Sequence, residues 1–141
     1  MTGLILANSI SAMADDKQCM TVGGTGFAQA LNETNLVASV TGSFAGGARA
    51  VVTSQQKTPT GLILGMEHSF FNDRGGLLNT KDTATLTDVS GRENIYMLEI
   101  SYDIQTASGA FAGFEGGFNS AGLIDFNIGK VVLQYSGEIC K

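Results

Sequence analysis

The chain has 141 residues, of which 43% are hydrophobic and 15% are charged, so it holds enough apolar material for one domain but too little for two. Nineteen glycines stand against a single proline, and without a Gly-X-Y period this composition excludes collagen and proline-rich linkers. Thirteen acidic against eight basic residues leave a net charge of -5, which argues against nucleic acid as a partner.

The N-terminal segment differs in composition from the rest of the chain. Residues 1–14 carry no charge, and Ala12 and Ala14 form an A-x-A cleavage pattern. No basic residue precedes the apolar stretch and two polar residues interrupt it, whereas a complete secretory signal has a basic start and about 7 to 15 apolar residues. We interpret 1–14 as a signal-peptide remnant and 15–141 as the mature domain; the alternative is a mildly apolar segment that stays on the protein.

The two cysteines lie near the two ends of the predicted mature chain. A disulfide between Cys19 and Cys140 would tie the first segment to the last strand and would indicate an oxidising compartment. The alternative is a pair of unrelated buried thiols. Their spacing matches no zinc motif, and one histidine is too few for a usual Cys/His site. No stretch approaches the roughly eighteen apolar residues that a membrane helix needs, so we expect no membrane span.

Beyond Cys19 the hydrophobic pattern alternates with a period of two, which predicts an all-β chain. Short segments of this kind are separated by Gly, Asn, Asp and Ser. They predict eight or nine strands, over 23–30, 34–41, 44–53, 60–71, 77–87, 94–105, 109–118, 121–127 and 130–138.

Two of these segments show which residues share a face. In 94–105, one face holds Tyr96, Leu98, Ile100, Tyr102 and Ile104. In 60–71 both faces are partly apolar. His68 shares its phase with Leu62, Leu64, Met66 and Phe70, while Glu67 points to the opposite face with Ile63 and Phe71. The pattern does not decide which phase faces inward.

Many short antiparallel strands without helices predict either a closed barrel or a β-sandwich. We favour the barrel, because closure removes exposed strand edges and about eight strands enclose a space that side chains or one small ligand can fill. The glycine clusters Gly46-Gly47 and Gly116-Gly117, with Gly109 and Gly113, predict corners or bulges of that barrel.

The C-terminal third resembles a pattern of small exported bacterial proteins: a "G-T/A-G-x-F/Y-A-G-A-x-G" turn, a short "V-D/N" strand and a closing "Y-x-G-x-I-C". The matching positions are Ser108, Gly109, Phe111, Ala112, Gly113, Gly116, Gly117, Ile124, Asp125, Tyr135, Gly137, Ile139 and Cys140. These proteins look like relatives of the allene oxide cyclase and dirigent barrels. The resemblance implies an eight-stranded antiparallel barrel with a lipophilic cavity, and a disulfide between first and last segments, as some dirigent proteins have.

Five residues are candidates for chemistry or binding. His68, the only histidine, and its neighbour Glu67 are the candidate catalytic groups, although adjacent strand residues point to opposite faces and cannot simply pair. Phe70, Tyr96 and Tyr102 are candidate ligand-binding walls. The structural alternative makes His68 a hydrogen-bonded core residue and the tyrosines core-edge aromatics.

The residues leave three functions open. The first is an exported barrel, secreted or periplasmic, that binds or templates a small lipophilic molecule. The second is an allene oxide cyclase-like or dirigent-like cyclase or isomerase without metal or organic cofactor. The third is a packed, non-enzymatic structural barrel. A homo-oligomer is possible in each case. An interior space of several hundred Å³ would support binding, and a filled core would support the structural role.

Overall fold

The computed structural model describes residues 17–141, which form one antiparallel sheet of eight strands closed into a barrel. The predicted signal-peptide remnant, 1–14, lies outside the described residues. The strands are β1 (Cys19–Ala30), β2 (Asn35–Val40), β3 (Gly46–Thr58), β4 (Gly61–Asn72), β5 (Leu77–Val89), β6 (Arg92–Ser108), β7 (Glu115–Asp125) and β8 (Lys130–Cys140). Each strand pairs with the next, and β1 pairs with β8. The predicted all-β barrel is confirmed, and the sandwich alternative does not apply.

The structure differs from the predicted segments at two phenylalanines and one serine. Phe44 and Phe111, predicted at strand starts, lie instead in short 3₁₀ turns, Gly42–Phe44 and Gly109–Phe111, which we call the plug turns. Ser120, where we predicted a break, continues β7 with its side chain buried. Its hydroxyl is satisfied by the Tyr102 hydroxyl, so a serine inside this barrel does not end a strand.

Alternation along the strands separates a mostly apolar interior from a more polar exterior. In β6, Leu98, Ile100 and Tyr102 are buried while Glu99 and Ser101 between them are exposed, as the period of two predicts. The phase that the pattern left undecided in β4 is now clear, because Leu64, Met66 and Phe70 are buried and Glu67 is exposed. His68 shares the phase of these buried residues, so its side chain faces inward.

The two ends of the barrel differ. At one end, the closed end, the two plug turns connect β2 to β3 and β6 to β7 and bury their phenylalanines, with Phe44 0% and Phe111 3% exposed. The β1–β2 and β7–β8 loops lie at the opposite, open end. The Ala30 amide donates to the Gly129 carbonyl there at 2.7 Å, which joins these two loops.

The predicted disulfide is confirmed at the closed end. Cys19 at the start of β1 lies directly opposite Cys140 at the end of β8, and their sulfurs are bonded. The bond therefore staples the first strand to the last, across the seam where the sheet closes. Among the described residues, no helix has the length and apolar character needed to cross a membrane.

The predicted glycine corners lie at the closed end, where Gly46-Gly47 and Gly116-Gly117 fall in the first residues of β3 and β7, and Gly109 and Gly113 in the turn between β6 and β7. Gly109 has φ +62°, and a Cβ at this position would collide with the carbonyl oxygen of Gly75. Both facts require glycine, because other residues rarely adopt this φ and would not fit. The plug turn that carries Phe111 thus depends on the glycine that begins it.

Candidate functional site

A mostly apolar cavity of about 130 Å³ lies inside the barrel. Its walls come from Gly26, Ala28, Leu36, Ala38, Val40, Ala48, Ala50, Leu64, Met66, His68, Phe70, Leu98, Ile100, Tyr102, Phe118, Ile124, Val131, Leu133 and Tyr135, among others. This volume is smaller than the several hundred Å³ that would hold a drug-sized ligand, and it is more space than a fully packed core leaves.

The cavity exists because small residues line up on one side of the barrel. Ala28, Ala38 and Ala48 are direct cross-strand neighbours on β1, β2 and β3, and we call them the alanine row. The next position across the sheet, on β4, is Phe70. Three methyl groups side by side on adjacent strands leave a gap that the large side chains from the opposite wall do not fill.

The closed end of the cavity is sealed by an aromatic cluster around Phe44. Its ring stacks on Tyr135 with centroids 5.2 Å apart and meets Phe70, Phe111 and Phe118 at 5.1 to 5.6 Å. The Tyr135 hydroxyl accepts from the Phe44 amide at 2.9 Å and donates to the Thr41 carbonyl at 2.6 Å. Burial raises the pKa of Tyr135, opposed by the hydrogen bond from Phe44, so the phenol stays neutral and keeps both bonds.

The open end of the cavity is bordered by loop residues. Asn32 and Glu33 from the β1–β2 loop and Phe126 and Gly129 from the β7–β8 loop complete its lining. Asn32 and Glu33 are exposed. The cavity therefore extends to the loops of this end, opposite the plug turns.

His68 and Asp82 form a hydrogen-bonded pair against the cavity wall. His68 Nδ1 lies 2.6 Å from Asp82 Oδ2, and the side chains are 10% and 0% exposed. In the β4–β5 register Asp82 is opposite Met66, so the pair is a diagonal one between inward-facing positions of adjacent strands. The pairing brings a carboxylate and an imidazole together inside a mostly apolar barrel.

The ring of His68 is held between two aromatic side chains. It stacks on Phe70 at 5.5 Å between centroids and meets Tyr102 edge-on at 5.0 Å. The Tyr102 hydroxyl shares a 2.9 Å hydrogen bond with the Ser120 hydroxyl. Burial raises the pKa of Tyr102 well above its usual range; the Ser120 hydrogen bond lowers it and the Asp82 charge raises it further. Tyr102 is therefore a neutral donor or acceptor beside the pair.

The structure brings three of the five candidate residues to the cavity. His68, Phe70 and Tyr102 line it. Tyr96 is half-buried and packs against Phe126 at 5.6 Å between ring centroids, outside the cavity lining.

Glu67 is exposed on the outer face, opposite Lys81 in the register, and the structure does not bring it together with His68. Its position gives no support to a role in cavity chemistry. Glu67 and His68 point to opposite faces because β4 alternates strictly at this point. The register irregularity between β3 and β4 lies further along, between Val52 and Ser54 of β3.

Asp82 is the functional candidate that the sequence analysis missed. The signal is present in β5, where Asp82 shares its phase with Leu78, Ala84 and Leu86, all buried. A carboxylate in the apolar phase of a strand is rarely buried without a partner. The signal that identifies Asp82 as the partner of His68 is therefore its place among apolar residues of β5, and not its distance from His68 in the sequence.

No metal centre emerges from the described residues. Their one group of candidate ligands close enough to share an ion is Cys19, Glu138 and Cys140. Both cysteine sulfurs are already bonded to each other, so they cannot act as thiolate ligands.

The outer surface carries an apolar row that bears on the predicted homo-oligomer. Phe27, Val132, Leu123 and Met97 are successive cross-strand neighbours on β1, β8, β7 and β6. They are 45% to 58% exposed. Self-association stays a prediction.

Comparisons of the chain with protein-family models, with curated proteins and with solved structures found no match. The resemblance to allene oxide cyclase and dirigent barrels therefore rests on the C-terminal motif alone and stays a prediction.

Proposed function

We propose that this protein is an exported barrel that binds one small, compact lipophilic molecule in its interior. The observation that carries the proposal is the apolar cavity of about 130 Å³ with a single histidine in its wall. An apolar cavity of about 150 Å³ in another protein stays dry and binds benzene or xenon. The size supports a ligand near a single aromatic ring, and a longer molecule would extend through the open end.

The polar part of the ligand follows from the hydrogen bonds of His68. In the neutral imidazole with Nδ1–H donated to Asp82, the other ring nitrogen, Nε2, is an acceptor without a hydrogen-bond partner in residues 17–141. The matching ligand is an apolar ring that carries one hydroxyl or another single donor. A charged ligand does not suit the site, because the remaining wall offers almost no polar surface to replace its hydration.

Export is part of the proposal, supported by the Cys19–Cys140 disulfide and by the cleavage pattern at Ala12 and Ala14. Disulfides persist in oxidising compartments and are rare in the cytosol. The barrel, the cavity and the disulfide are also the features that the resemblance to allene oxide cyclase and dirigent barrels implies.

The test is binding of phenol and toluene, measured by NMR titration of the protein. Phenol and toluene have nearly the same shape, but only phenol can donate a hydrogen bond to His68 Nε2. We expect both to bind and to shift signals of cavity residues, and we expect His68→Leu to weaken phenol while leaving toluene nearly unchanged. A hydrogen bond of this kind corresponds to about 1 kcal/mol, or roughly fivefold in affinity.

A matched pair of variants tests whether the cavity is the binding site. Ala38→Leu places three further carbon atoms in the middle of the alanine row, between two alanines, and should abolish binding of both molecules. Ala121→Leu makes the same change at an exposed outer position of β7 and should leave binding intact. Equal binding by both variants would refute the cavity as the site and would favour the packed structural barrel.

A further inference from the structure

We propose that His68 and Asp82 form a general-base dyad that abstracts a proton from a small apolar carbon acid bound in the cavity. The inference rests on the proposed function, since the substrate must occupy the same cavity. It goes beyond binding, because it assigns the barrel a proton-transfer activity and gives Asp82 the role of positioning His68.

The buried His68–Asp82 pair costs the fold free energy. Asp82 is the only charged residue in the buried set of the described residues, and its second oxygen, Oδ1, has no hydrogen-bond partner among them. Removing a carboxylate and an imidazole from water costs free energy that their attraction only partly returns, and apolar residues of similar size often stabilise more. A purely structural position here would be filled better by an aliphatic pair. The presence of this pair inside the barrel therefore points to chemistry.

The two side chains of the pair are placed for different roles. His68 Nδ1 lies 2.6 Å from Asp82 Oδ2, and in the neutral imidazole this contact favours the tautomer with the proton on Nδ1 and the lone pair on Nε2. The carboxylate is 0% exposed and His68, the outer member, lines the cavity. A buried aspartate behind a histidine orients the ring and stabilises the imidazolium that forms when Nε2 takes a proton. Asp82 is thus a positioning residue and His68 the base.

The imidazole ring of His68 is restrained by its aromatic neighbours. Stacking on Phe70, with an interplanar angle of 11°, and edge contact with Tyr102 restrict rotation of the imidazole. The face of Phe70 also favours a cationic ring over it. The base is held in place before substrate arrives, so little reorganisation is needed at the moment of proton transfer.

The step balances without any further reactant. The C–H bond next to an electron-withdrawing group breaks, its proton goes to Nε2, and its electron pair enters the carbon framework of the substrate. Return of the proton from Nε2 to a different atom completes an isomerisation and restores neutral His68. The substrate class is a compact, uncharged carbon acid, such as a small cyclic ketone or enone.

Benzisoxazole is the probe that tests the base directly. It is a small uncharged bicycle that opens when a base removes its one acidic carbon-bound proton: the C–H and N–O bonds break, and ortho-cyanophenol forms. We expect the wild-type protein to open it about 100-fold faster than the same concentration of free imidazole. Deuterium at the abstracted position should slow the reaction, as proton transfer in the rate-limiting step requires.

Three variants distinguish loss of the base from loss of folding or of probe binding. His68→Gln keeps an N–H that can donate to Asp82 but cannot take up a proton, and should lose about 100-fold or more in rate. Asp82→Asn keeps the size of the side chain and should lose at least about tenfold, and it supplies an independent reading if His68→Gln does not fold. Glu67→Gln, one residue away on the outer face, is the matched control and should keep the wild-type rate.

The outcomes distinguish this proposal from the binding proposal. Competition with phenol measures binding of benzisoxazole to every variant. If the probe binds but opens no faster than with imidazole, or equally fast in His68→Gln, the dyad proposal is overturned and binding stands. If neither phenol nor benzisoxazole binds, both proposals are overturned.

Discussion

Removal of the Cys19–Cys140 disulfide should lower the free energy of unfolding by several kcal/mol. The bond joins residues 121 positions apart, so in the oxidised unfolded chain it closes a loop that contains all eight strands. The chain-entropy relation gives about 4.9 kcal/mol for a loop of this length, an upper value because unfolded chains retain some structure. We therefore expect a loss between about 2 and 5 kcal/mol.

The assay is urea unfolding, followed by circular dichroism, of the wild-type protein with and without reductant and of the double variant Cys19→Ser, Cys140→Ser. Reductant should destabilise the wild type to about the level of the double variant and should leave the double variant unchanged. Phenol binding should survive in the folded double variant, because the bond lies at the closed end and neither cysteine lines the cavity. A loss below about 1 kcal/mol would refute the loop-entropy reasoning.

Two further predictions concern the aromatic interior. Phe44→Ala should cost about 3 to 5 kcal/mol in urea unfolding, because the side chain is 0% exposed and packs on four aromatic rings. The control Phe27→Ala, at a position 56% exposed, should cost less than about 1 kcal/mol, and similar losses in both would contradict the plug. Because the pKa of Tyr102 is raised above its ordinary value of 10.0, folding stability should be fully present below that pH and should fall as the pH rises above it. Tyr102→Phe should remove up to about 1.4 kcal/mol per pH unit from this alkaline slope, and an unchanged slope would show that Tyr102 does not ionise on unfolding.

The volume of the cavity limits the size of any molecule that the barrel could enclose. A volume of about 130 Å³ does not accommodate a long fatty chain entirely within the barrel. The same volume is more than the scattered small voids of a close-packed core. The ring-sized ligand that we propose fits between these limits.

The secondary structure and its two faces were determined by the sequence itself. Alternation in 94–105 and in 60–71 is local information, since successive strand residues point to opposite sides whatever the partner strand. It therefore separated His68 from Glu67 before any fold was known. The partner of each cysteine was equally accessible, because a chain with two cysteines allows only one internal pairing, although the sequence left free thiols as the alternative to a bond.

Only the tertiary structure decided the cavity and the dyad. The alanine row depends on the register among β1, β2 and β3, and a shift of one residue would turn its side chains outward. His68 meets Asp82 because the β4–β5 register places Asp82 opposite Met66, and no local pattern encodes that offset. Phe44 and Phe111 fold inward as plugs because the barrel end needs apolar cover, a demand that exists only once all eight strands have closed.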